Sequence, residues 1–103
     1  MTAYAPTQSQ HLAVTNVSAA FTNPVLGSAL YAYVCTVDSW VTQAASAAVA
    51  TAGDGSMFVP AKTIVQLDGA LGASVAAIRD GGSSGTASLT PVLTGKLGWK
   101  QAS

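Results

Sequence analysis

The chain has 103 residues and a formal net charge of zero, with half of its residues apolar and only 8% charged, against about 25% in ordinary soluble domains. That length gives one domain with a modest core. Its four cations, Lys62, Arg79, Lys96 and Lys100, are scattered, which excludes the basic patch that nucleic-acid binding needs and disfavours an acidic membrane surface as partner.

A surface so poor in charge is weakly protected against association, so the composition points to an exterior covered by other subunits. Met1 to Gln10 has neither the basic start nor the apolar core of a secretion signal, and no apolar run is long enough to span a bilayer. The expectation is a protein made in the cytoplasm.

Residues 1–10 (MTAYAPTQSQ) are polar and proline-punctuated and read as an N-terminal arm. The domain proper is expected over 11–94 and a C-terminal tail over 95–103. His11 to Val17 gives a short strand, followed by a loop that ends in the Asn23-Pro24 turn signal. Ala29 to Val37 is the strongest strand. Tyr31, Tyr33, Cys35 and Val37 share one face and Leu30, Ala32, Val34 and Thr36 the other, the pattern of a central strand covered on both sides. It continues past Asp38-Ser39 into Trp40 and Val41 through a bulge or a corner.

Residues 44–52 (AASAAVATA) allow two readings. Alanine favours helix, whereas the alternation of Ala with Ser, Val and Thr favours a strand or extended loop. Gly53 to Ala61 is a turn and an apolar burst stopped by Pro60, which marks a strand end or edge. Thr63 to Leu67 is a strand turned by Asp68-Gly69. Ser74 to Arg79 is another, leading into a flexible tip at Gly82, Ser83, Ser84 and Gly85. Pro91 within Thr86 to Leu93 demotes that strand to an edge or splits it.

Roughly seven short strands with turn signals about every 8–12 residues predict an all-β fold, an antiparallel β-sandwich or jelly roll, with a small β-barrel as the alternative. The acids fit that reading. There is no glutamate, and three of the four aspartates precede glycine, as Asp54-Gly55, Asp68-Gly69 and Asp80-Gly81. Asp-Gly suits tight turns, because Asp bonds its own backbone and Gly takes positive φ without steric cost. The chain is therefore expected to fold as hairpins.

Little chemistry is left over. Asp38, His11 and Cys35 fall into no zinc spacing, and the stretch Gly53-Asp54-Gly55-Ser56 lacks the further carboxylates of a calcium loop. No Gly-x-Ser-x-Gly elbow occurs, and no lysine follows the glycines at 81–85 as a phosphate loop requires. The expectation is a non-enzyme without cofactor or metal, in which Cys35 is a structural thiol. Most aromatics lie in strands, where packing is the default. Tyr4 and Trp99, with their neighbours Pro6 and Lys100, sit in the terminal segments, where they either anchor into a neighbouring subunit or fold back on the domain's own core.

The run Ala32-Tyr33-Val34-Cys35-Thr36-Val37-Asp38, then Gly55-Ser56-Met57-Phe58-Val59-Pro60-Ala61, then Val75-Ala76-Ala77-Ile78-Arg79 before a Gly/Ser tip, resembles the small virion structural proteins of tailed bacteriophages. The likeness is to capsid decoration or cement proteins and short head-fibre bases, and covers about residues 11–93 in size, rhythm and composition. It implies a sandwich or jelly roll on the capsid exterior, as a trimer or dimer bridging neighbouring major capsid proteins. The chain departs from the longer N-terminal extension or second domain that some of these proteins carry. A collar, tail or fibre-base component is the alternative within that group, and a soluble carbohydrate-binding sandwich using Trp40 or Trp99 is the alternative outside it.

Overall fold

A computed structural model describes residues 2–4, 8–22 and 30–94. These form nine strands: β1 (Thr2–Tyr4), β2 (Gln10–Val14), β3 (Ala19–Ala20), β4 (Leu30–Cys35), β5 (Ser39–Ala44), β6 (Met57–Val59), β7 (Val65–Asp68), β8 (Ser74–Arg79) and β9 (Gly85–Thr94), with a 3-10 turn at Gly69–Leu71. Two antiparallel sheets result. In the first, β9 is flanked on one edge by β4, which pairs onward with β7, and on the other edge by β1 and β2 in succession. The second runs β3-β8-β5-β6.

The pairing is nested. β5 pairs with β6, β4 with β7, β3 with β8 and β2 with β9, which is one long hairpin rolled up on itself. The extra pairings β4–β9 and β5–β8 complete each sheet. This is the jelly-roll form of the β-sandwich.

Alternation along each strand builds the core between the sheets. Tyr31, Tyr33 and Cys35 of β4, Ala87 and Leu89 of β9, Val14 and Leu67 come from the first sheet, and Val41, Val59, Val75 and Ala77 from the second. Phe21 meets Tyr33 edge-on, with ring centroids 6.4 Å apart. Each fully buried aliphatic side chain stabilises the fold by about 1.5–3 kcal/mol. On its other face β4 carries Ala32, itself buried, and the half-buried Leu30 and Val34.

Three expectations need correction. Two of the three Asp-Gly pairs do not make hairpins: Asp68-Gly69 and Asp80-Gly81 carry the chain from one sheet to the other, whereas Asp54-Gly55 lies in the connection between β5 and β6, the only consecutive strands paired with each other among the described residues. Turn chemistry reverses the chain locally without fixing which sheet the next strand joins. Pro91 lies in a central strand, continuous over Gly85–Thr94. It lies between the stretch of β9 paired with β2, residues 85–89, and the stretch paired with β1, residues 92–94.

The proposed arm, residues 1–10, is sheet wherever its strands are described. Tyr4 stands opposite Val92 and Gln10 opposite Leu89, so six steps along the N-terminal segment cover three along β9. The hydroxyls of Ser9 and Thr90 meet at 2.8 Å within that stretch. The expected corner follows the strand around Ala29–Val37: β4 ends at Cys35 and β5, from Ser39, belongs to the other sheet.

Residues 45–52 are neither helix nor strand. They cross the outer face of the second sheet, where Ala48 and Ala50 pack on Ala76. The backbone N–H groups of Ala48 and Ala50 donate to the hydroxyls of Ser74 and Ser18, at 3.0 and 2.8 Å. Serine oxygens thus replace ladder partners, and small side chains let the segment lie close. The Asn23-Pro24 turn and the tail 95–103 lie outside the described residues.

Candidate functional site

The outer face of the first sheet follows from the register. Its rows are Tyr4–Val92–Leu30–Asp68, then Thr90–Ala32–Gln66, then His11–Ser88–Val34, then Ala13–Thr86. Small, neutral side chains fill the middle of this face. Asp68, at the β7 edge, is the one aspartate in these rows, which hold no lysine or arginine, and its carboxylate accepts the Ala70 N–H at 2.9 Å. A face of this kind gives up little hydration on contact, because desolvating fixed charge is the main cost of burying polar surface.

A second feature is the open side between β6 and β7, a cleft of about 610 Å³. Val41 and Leu67 form its floor, and the exposed Met57 and Leu71 stand on its rim. The Gln43 side chain braces one end, donating to the carbonyls of Asp68 and Gly72 at 3.0 and 3.1 Å. The cleft exists because β6 covers only Ser39–Val41 of β5. It offers apolar surface and amide groups to an uncharged occupant.

The third feature lies at the end of the second sheet. Trp40 and Phe58 pair across β5 and β6, with ring centroids 5.3 Å apart and planes 63° apart. The indole N–H of Trp40 donates to Oδ1 of Asp80 at 3.1 Å. Asp38 ties the same region together: its Oδ1 accepts the Ala61 N–H at 2.7 Å and its carbonyl the Asp80 N–H at 2.8 Å. The one aspartate outside the Asp-Gly pairs is therefore a loop clamp.

Deep in the core the Tyr33 and Ser39 hydroxyls are 2.8 Å apart. Burial pushes the Tyr33 phenol up to about 12, the hydrogen bond to Ser39 opposing that rise. The pair is satisfied and fully enclosed, so its role is structural.

The residues singled out in the sequence scatter over the molecule. Tyr4 is half-exposed on the first sheet; Pro6, Trp99 and Lys100 lie outside the described residues. Gly55 and Gly81 have φ of 88° and 82°, as Asp-Gly turns require. At the Asp54-Gly55 turn, the Asp54 carbonyl accepts the Thr51 hydroxyl and the Gly55 carbonyl the Thr42 hydroxyl. Asp68-Gly69 differs: Asp68 caps the 3-10 turn and Gly69 is buried, without positive φ. Gly82 and Ser83 are exposed, while Ser84 accepts a hydrogen bond from Arg79 Nη1 at 2.8 Å, and Gly85 opens β9.

The face made by Ala13, Ala32, Ser88 and Thr90 was not legible as a unit, because it arises only when β2, β9 and β4 are placed side by side. Its one sequence signal is the second apolar face of β4. Among the described residues no group of three or more His, Cys, Asp or Glu side chains is placed to hold a metal ion, and no helix is long and apolar enough to cross a membrane. The chain matches no family model, no curated protein and no solved structure.

Proposed function

We propose that this chain is a non-enzymatic structural component of a tailed-bacteriophage virion, decorating the outside of the capsid by binding neighbouring major capsid proteins and further copies of itself. The fold alone assigns no function, since jelly rolls serve many. The observation that carries the reading is the charge-poor outer face of the first sheet, a broad surface of Ala, Ser, Thr and Val across β2, β9 and β4. A decoration protein stabilises the closed shell by binding the assembled lattice in preference to free subunits. Its many copies make individually weak contacts effective together.

Such contacts favour a flat, neutral face over a charged one, because every copy must desolvate the same surface. The test is rebinding of purified chain to phage capsids stripped of it. Saturation at a fixed ratio to the major capsid protein is expected, with Ser88→Asp and Thr90→Asp variants that fold but bind at least about tenfold more weakly. Absence of rebinding, or rebinding indifferent to both substitutions, would overturn the reading.

A further inference from the structure

The outer face of the second sheet differs in chemistry from that of the first. Ile78, Trp40 and Phe58 stand in one row across β8, β5 and β6. The strap at 45–50 packs over Ala76, Ala44 and Ile78 and stops short of the aromatic pair, leaving Phe58 41% exposed on an edge strand. Rings whose planes meet at 63° form the two walls of a notch, not a flat stack.

Asp80 follows the end of β8, and the hydrogen bond from the Trp40 indole brings its carboxylate beside the same row. Its backbone N–H is held by Asp38 and its Oδ1 by the Trp40 indole. The other carboxylate oxygen, Oδ2, receives no hydrogen bond from the described residues, so a fixed acceptor stands beside the rings. The cation adjacent in sequence, Arg79, donates instead to Ser84.

We propose that this notch binds an uncharged pyranose unit of a glycan. The C–H face of a pyranose packs on an aromatic ring, while its hydroxyls donate to a carboxylate held in place beforehand; this division between an apolar body and a few placed polar groups is general to small-ligand sites. The carboxylate selects against acidic sugars, since a ligand carboxylate beside Asp80 meets like charge. The site stands on observations separate from those behind capsid decoration, and either can fail alone.

The test uses the full chain carrying Trp99→Phe, so that Trp40 is its one tryptophan and reports on the notch. Maltotriose, cellotriose and lactose are titrated against Trp40 emission, with 3′-sialyllactose as the acidic comparison. The expected result is a saturable change for at least one neutral sugar, with a Kd on the order of millimolar. Asp80→Asn should weaken it about tenfold and Phe58→Ala should abolish it, both with an unchanged far-UV spectrum. No saturable change with any neutral sugar would overturn the proposal, as would binding that survives Phe58→Ala or is equally tight for sialyllactose.

Discussion

The Tyr33 hydroxyl meets the Ser39 hydroxyl at 2.8 Å between the sheets, one residue on β4 and the other at the start of β5. Both are fully buried, so either hydroxyl left alone loses its partner without gaining water. Ser39→Ala should therefore destabilise the fold by about 1–3 kcal/mol. The double variant Tyr33→Phe, Ser39→Ala should lose less than the sum of the single losses, because it removes donor and acceptor together. Urea unfolding of the four proteins measures this directly; strict additivity would mean that the two hydroxyls do not depend on each other.

The same burial sets an alkaline limit. The Tyr33 phenol is pushed up to about 12, while in the unfolded chain it ionises near 10. Between those values the unfolded state has lost a proton that the native state keeps, so stability is fully present below about pH 10 and falls as pH climbs toward 12. The contribution is on the order of 2–3 kcal/mol. Unfolding midpoints measured across that window should fall more steeply for the natural chain than for Tyr33→Phe.

Glycines separate by what a side chain would meet. At Gly72 a Cβ would come within 2.8 Å of the Ala44 backbone, so Gly72→Ala should cost about 1–3 kcal/mol through overpacking. Gly81→Val should also destabilise, since φ is 82° there and β-branched residues resist that region. Gly82→Ala meets nothing within 4 Å and should fall within about 0.5 kcal/mol of the parent. Thermal melts of the three variants test the ordering.

Asp38 supplies a carboxylate to the Ala61 N–H and a carbonyl to the Asp80 N–H. Asp38→Ala removes the first and keeps the second, so a loss of about 1 kcal/mol is expected. Asp38→Asn should recover part of it, because the amide oxygen still accepts. Equal stability of the Ala variant and the parent would show that water replaces the carboxylate without cost.

Local sequence carried the strands and little of their arrangement. Ser74–Arg79 was legible to the residue, and the buried alternation of Tyr31, Tyr33 and Cys35 marked the core face of β4, since strand period is a local property. The partners were hidden. Nothing near Asp80-Gly81 says that β9 joins the sheet opposite β8, and Pro91 looked like an edge because β1 and β2, which flank β9, lie some eighty residues away. The alanine run at 45–50 took its form from Ser18 and Ser74, neither of them adjacent. The aromatic notch was split in the same way, among β5, β6 and the end of β8.

The proposed capsid decoration through the outer face of the first sheet is tested most directly by electron cryo-microscopy of phage particles purified from the source of this chain. The account predicts regular copies on the shell, with the face bearing Ala32, Ser88 and Thr90 turned toward the major capsid protein or a neighbouring copy. Density confined to the collar or tail, absence from the particles, or copies on the shell with that face turned to solvent would contradict it.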